Sequence, residues 1–257
     1  MAVSGTTLFA RYAYPPNELG YCGPGDASVL LGRDSPGAEQ QIARHARQFE
    51  GAWPYLEIIA SAAQIADPLD ARVVEAYWIG NGLLDNVDPA SLVSRLQEQF
   101  VGQVGASWAP GLPHHSFHVF AVYPWVGLLR RGGDITGQGN DVALSVLEQC
   151  RIRWGEVVAI EGERVRVRSQ PLVLRDGVLV LGPPREETAA WSVEGSSLLT
   201  SASLDAQVAS PPVAVGDQVA MHWDWVCDVL TVAQVVQLEA RSADQLGRTN
   251  AGLRAAG

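Results

Sequence analysis

Lysine is absent from this 257-residue chain, so all 18 basic side chains are arginine, set against 28 acidic ones for a formal charge of −10. That deficit excludes a phosphate-gripping face, because no short Arg cluster, such as Arg164-Val165-Arg166-Val167-Arg168, outweighs it. Nucleic acid is therefore not an expected partner. Cysteine is scarce: Cys22, Cys150 and Cys227 lie far apart with no CxxC pair, which excludes a disulfide framework and a four-thiolate zinc site. Any thiol chemistry rests on single cysteines. Long apolar runs are also missing. The longest candidate, 117–129, is broken by Pro124 and falls short of the ~20 residues that cross a bilayer. The opening Met1-Ala2-Val3-Ser4 has neither the charged start nor the apolar core of a signal peptide, and a cytoplasmic protein is expected. Charged residues make up 18% against 47% hydrophobic, a balance that excludes disorder. The length suits one or two domains.

Two periodicities divide what is present. Up to about residue 149 apolar residues recur at helical spacing between Pro and Gly punctuation. Residues 38–49 place Ile42, Ala46 and Phe49 on one face and Glu39, Gln40, Arg44 and Arg47 on the other. Further helices are predicted over 54–66, 68–78 and 141–149. Asp88-Pro89 opens another through Phe100, with Asp as N-cap and Pro at the first helical position, and 116–129 reads as a buried helix kinked at Pro124. After Cys150 the period becomes two. Val157 and Ala159, then Val165 and Val167, alternate with polar partners, and 172–181 makes a hairpin around Asp176-Gly177. Residues 182–212, rich in Pro, Ser, Thr and Ala, read as an irregular insertion. A strand returns over 215–222 and a helix over 231–250. The expected class is α+β: an all-helical domain over 1–149, then a small OB-like β-barrel with a C-terminal helix over 150–257.

Few residues are equipped for chemistry. In His114-His115-Ser116-Phe117-His118, His114 and His118 are one helical turn apart and would turn two imidazoles toward a metal. A third ligand would come from Cys22, Glu57, Glu75 or Asp26, and the bland alternative is that these histidines cap a buried helix. Tyr21-Cys22-Gly23-Pro24-Gly25-Asp26 reads as a tight turn into a helix, with Cys22 either a structural thiol or one activated by the helix dipole. Glu57, Asp70 and Glu75 read as structural or solvated acids. In the β half, Cys150 stands at the entrance of the first strand and His222 at the end of a later one.

The run Cys150-Arg151-Ile152-Arg153-Trp154-Gly155-Glu156-Val157-Val158, followed by Val215-Gly216-Asp217-Gln218-Val219-Ala220-Met221-His222, resembles the small hydrogenase-maturation chaperones of the HypC/HupF type. That family's cysteine opens its chain, whereas Cys150 follows 149 residues. The resemblance covers roughly 150–250. It implies a small β-barrel that carries iron as an iron-cyanide-carbonyl unit and chaperones the hydrogenase large subunit, with Cys150 as the functional thiol and His222 as its companion. A soft thiolate suits low-spin iron, and an imidazole ligates it or hydrogen-bonds to its cyanide. The whole chain, including Phe9-Ala10-Arg11-Tyr12-Ala13-Tyr14-Pro15-Pro16-Asn17, Gly51-Ala52-Trp53-Pro54-Tyr55 and His114-His115-Ser116-Phe117-His118-Val119-Phe120, is also similar to an uncharacterised actinobacterial family whose members accompany hydrogenase genes.

The expectation is a nickel–iron hydrogenase maturation factor that binds rather than turns over, its cofactor-binding residues Cys150 and His222, its partner the large subunit or an iron-ligand assembly scaffold. Two alternatives stand beside it. One is a metal-dependent enzyme built on His114, His118 and Cys22 or Glu57; the other is a pure interaction protein.

Overall fold

The computed structural model describes residues 3–31, 37–100, 110–130, 138–193, 196–199 and 212–254. Its first helix, α1 (Gly5–Glu18), starts where the Ser4 hydroxyl accepts the Thr7 N–H at 3.3 Å. Nearly every residue from Leu8 to Asn17 is buried, so the helix has no polar face for a periodicity argument to find. Pro15 and Pro16 occupy its final turn. Helix α1 packs against α4 (Ala71–Trp78) and against the strands of the second half. Its N-terminus touches the chain entering α4 so closely that a Cβ built on Gly5 would overlap the Leu69 carbonyl oxygen. Gly5→Ala is expected to cost about 1–3 kcal/mol, since backbone on both sides must shift. A fall in the urea midpoint at unchanged slope checks it.

Helices α2 (Ala38–Ala46), α3 (Trp53–Ala62) and α5 (Pro89–Gln99) follow the predicted positions with shorter ends, and the Asp88 carboxylate caps α5 by accepting the Ser91 N–H at 2.9 Å. The predicted helix over 116–129 divides into three. A short α6 (His115–Phe117) passes into a π-helical turn (His118–Val122), Tyr123 is extended, and α7 (Trp125–Arg130) begins after Pro124. The proline ring disfavours helical backbone at the residue before it, so the chain breaks rather than kinks. Helix α8 (Gln138–Cys150) carries Cys150 as its last residue, so this cysteine ends a helix instead of opening a strand.

Strand β1 (Arg153–Glu161) pairs antiparallel with β2 (Arg164–Ser169) across Gly162 and Glu163. The register slips between Val157 and Ala159. Val157 is buried and Ala159 only partly so, because one extra residue in a bulge ends the alternation. The hairpin β3 (Leu172–Arg175) and β4 (Val178–Leu181) turns at Asp176-Gly177, both at positive φ, as a type I′ turn requires. Strand β5 (Arg185–Ala190) then pairs with β2, so the stretch read as irregular contributes a strand; its Arg-Glu-Glu-Thr start hides it. The rest of that stretch holds β6 (Ser192–Val193) and β7 (Ser196–Ser197), and 200–211 lies outside the described residues. Strand β8 (Gln218–His222) pairs with β1 and with β9 (Trp225–Val229), and one parallel bridge, Ala190 opposite Trp225, joins β9 to β5. The order β1-β2-β5-β9-β8 thus returns to β1 around Val157, Val165, Val167, Val219, Met221 and Val226. Helix α9 (Val232–Arg254) closes the chain.

The apolar core does not stop at residue 150. Phe9, Tyr12 and Trp78 share one cluster with Ile152, Ala220, Trp225 and Cys227, and a fully buried side chain of this size is worth about 1.5–3 kcal/mol. Arg11 of α1 crosses to β9, pairing with Asp228 at 2.9 Å and donating to the Leu199 carbonyl at 3.0 Å. No described helix is long and apolar enough to cross a membrane.

Candidate functional site

Between the end of α1, the break at Tyr123, the end of α8 and the end of β8 lies a cavity of about 170 Å³, far larger than one water needs. Its lining includes Cys22, His115, Cys150 and His222, with Tyr21, Tyr123 and Trp125. Of its lining residues, Tyr21 is 49% exposed and Pro124 is exposed as well. Cys150 is 6% and His222 1% exposed.

Each donor is held by local structure. Cys22 sits on the loop after α1, where Asn17 donates from Nδ2 to the Cys22 carbonyl at 2.9 Å and to the Pro24 carbonyl at 2.6 Å. Gly23, at φ +87°, lies so close to the Phe49 ring that a Cβ would overlap it. The Tyr21 N–H is bonded to the Pro16 carbonyl at 2.8 Å. Cys150 caps the last turn of α8, and its carbonyl accepts the His115 Nε2–H at 2.8 Å. His222 ends β8 because Trp223 turns the chain at φ +53°, a conformation costly for a bulky residue and sustained only when its surroundings over-determine it. They do: the Trp223 N–H donates to the Gln149 carbonyl at 3.0 Å, the Arg153 guanidinium donates to the Trp223 carbonyl, and Tyr21 stacks on the indole at 4.1 Å.

The His222 Nδ1–H donates to the Tyr12 carbonyl at 2.7 Å. That bond fixes the tautomer, so Nε2 carries a lone pair; Nε2 makes no hydrogen bond among the described residues, and the Cys150 carbonyl also lies close to the ring. The His115 and His222 rings meet edge to face at 5.2 Å, with Trp78 against both. Burial pushes the thiols of Cys22 and Cys150 up to about 12, the Trp223 indole and the Arg153 charge opposing it weakly at Cys150. The dipole-activated thiol is thus corrected at Cys22, since apolar surroundings outweigh any helix field. Burial also lowers His115 to about 4 and His222 well below its ordinary range. The cavity is therefore lined by neutral donors near pH 7: two protonated thiols and two uncharged imidazoles.

The other predicted residues go elsewhere. His114 precedes α6 in extended backbone, and its Nδ1 accepts the Ser116 N–H at 3.1 Å. His118 begins the π turn, 3.3 Å from the Tyr55 hydroxyl and against Phe100 and Tyr123. The expected helical-turn pair is corrected, because only one of the two residues lies in helical backbone. Glu57 takes Arg95 at 2.8 Å and the Trp53 indole at 2.9 Å, while Glu75 accepts from Asn81 at 3.2 Å and Gln234 at 2.9 Å. Asp70 caps α4 and pairs with Arg72; Asp26 accepts from Ser28. Among the described residues no three His, Cys, Asp or Glu side chains are grouped to hold a metal ion. His115 is the residue that sequence reasoning missed. It sat inside the quoted motif, between the two histidines chosen for their spacing.

Burial also lowers His114 to about 3 and His118 to about 3. A histidine near 6.5 when unfolded and near 3–4 when folded takes its proton first in the unfolded chain. Stability should then be flat between about pH 6.5 and 8 and fall as the pH drops toward 4, by up to ~1.4 kcal/mol per pH unit for each such histidine. Urea midpoints between pH 8 and 4.5 test this; a midpoint flat to pH 4.5 would contradict it.

No curated protein and no solved structure matches the chain. Over residues 1–256 it matches the family described as "Family of unknown function (DUF6390)". The chain belongs to that family.

Proposed function

We propose that this protein is a non-catalytic holder in the assembly of nickel–iron hydrogenase, acting in the cytoplasm. Cys150 as thiolate and His222 through Nε2 hold or present an iron unit that arrives with its own cyanide and carbon monoxide ligands, for delivery to the large subunit or an iron-ligand scaffold. The observation that carries the reading is that Cys150 and His222, from two different elements, line one cavity, and that the buried His222 ring has a nitrogen with no hydrogen bond among the described residues. A cargo that brings most of its ligands needs few donors from the protein, and the neutral, largely apolar walls suit such a unit better than a bare hydrated ion. The five-stranded ring is read as the OB-like barrel of the chaperone resemblance. The segment before residue 150 adds to it the wall carrying Cys22 and His115.

The test is genetic. In cells that make a nickel–iron hydrogenase, replacing the chromosomal copy by Cys150→Ala or His222→Gln is expected to leave the large subunit immature at wild-type levels of the variant chain. Unimpaired maturation with both variants would overturn the reading.

A further inference from the structure

We infer that Cys22 is the second thiol of this site, so that the cavity takes a thiophilic metal centre on two thiolates, from Cys22 and Cys150, instead of one. The inference deepens the holder reading and rests on it. Both cysteines line the same cavity. The Cys22 loop is not loose chain that happens to pass by: the buried Asn17 spends both of its N–H groups on carbonyls flanking Cys22, and Gly23 lets the loop lie flat on Phe49. An independent observation points to a ligand: His222, a residue of the same lining, is 1% exposed and its Nε2 has no hydrogen bond among the described residues. Cys227 is not among the lining residues; it is fully buried in the shared core, its thiol against the backbone of His222.

The donors are not preassembled into a three-ligand cluster among the described residues. The protein therefore offers the ion its two thiolates, and solvent completes the coordination. The balance is simple: a divalent ion and two thiols form two metal–sulfur bonds and release two protons to solvent, with no change of oxidation state.

Cadmium(II) alone, added without oxygen to the reduced full chain, is the probe. One ion per chain is expected to give thiolate-to-metal charge-transfer absorption, halved in Cys22→Ser, halved in Cys150→Ser and absent in the double variant. In the wild type, where folding is not in question, cadmium is expected to protect both Cys22 and Cys150 from maleimide alkylation, with Cys227 as the inert reference. Undiminished absorption in Cys22→Ser together with loss in Cys150→Ser would overturn the inference and leave the single-thiol holder standing. Failure to bind cadmium, or alkylation of Cys22 at the same rate with and without it, would also overturn it. The holder reading is judged separately, by hydrogenase maturation.

Discussion

Arg153→Ala is expected to destabilise the protein by about 3–5 kcal/mol, the cost of stripping one partner from a buried charged network. Its side chain is 2% exposed. The guanidinium donates to the Glu148 carbonyl at 3.1 Å, to Gln149 Oε1 at 2.6 Å and to the Trp223 carbonyl, and it pairs with Glu187 at 3.2 Å. Truncation leaves these acceptors unpaired and a largely buried carboxylate without its counter-charge. Arg153→Lys should recover only a fraction of the loss, because a point charge cannot reproduce a planar fork reaching several acceptors. The same network ties the end of α8 to the turn after β8, so it fixes Cys150 relative to His222. Cadmium affinity should fall with stability. Urea unfolding measures the first effect; a loss under 1 kcal/mol would show that the network is not holding these elements together.

Trp78→Ala is the second large effect, again about 3–5 kcal/mol for deleting a buried indole. The ring stacks on Tyr12 at 5.4 Å and 13°, meets Tyr77 at 4.7 Å, and forms a wall for His115 at 4.5 Å and His222 at 5.7 Å. Removing it opens a void beside both imidazoles. Since burial is the main cause of their low pKa values, water entering that void should move both histidines back toward 6.5. A histidine proton NMR titration distinguishes this from simple destabilisation: unchanged titration of His115 and His222 in a folded Trp78→Ala would contradict the placement of the indole.

Local chemistry made several elements readable from sequence. Asp88-Pro89 announces α5 through a cap and a ring, Asp176-Gly177 announces the hairpin through positive φ, and Val165 and Val167 announce β2 through alternation. What failed depends on tertiary context. Helix α1 is buried nearly all round and ends in two prolines, so neither periodicity nor composition marks it. Strand β5 begins with charged residues because its partners, not its hydrophobicity, hold it in the sheet. The site follows the same division. Cys150 and His222 come from the resemblance to the hydrogenase-maturation chaperones, by motif position, whereas spacing alone selected His114 and His118, and the π turn that breaks the 3.6-residue period cannot be read from His-His-Ser-Phe-His. Cys22 and Cys150 line one cavity through tertiary packing alone, a juxtaposition of residues far apart in sequence that has no local signature.

The central claim is that one thiol and one imidazole, from the last residues of α8 and β8, hold an iron unit. Infrared spectroscopy of the chain purified without oxygen from cells assembling nickel–iron hydrogenase addresses it most directly, because iron-bound cyanide and carbon monoxide absorb where polypeptide does not. The account predicts those bands in the wild type and their loss in folded Cys150→Ala. Their absence from the wild type, or their persistence in Cys150→Ala, would contradict it.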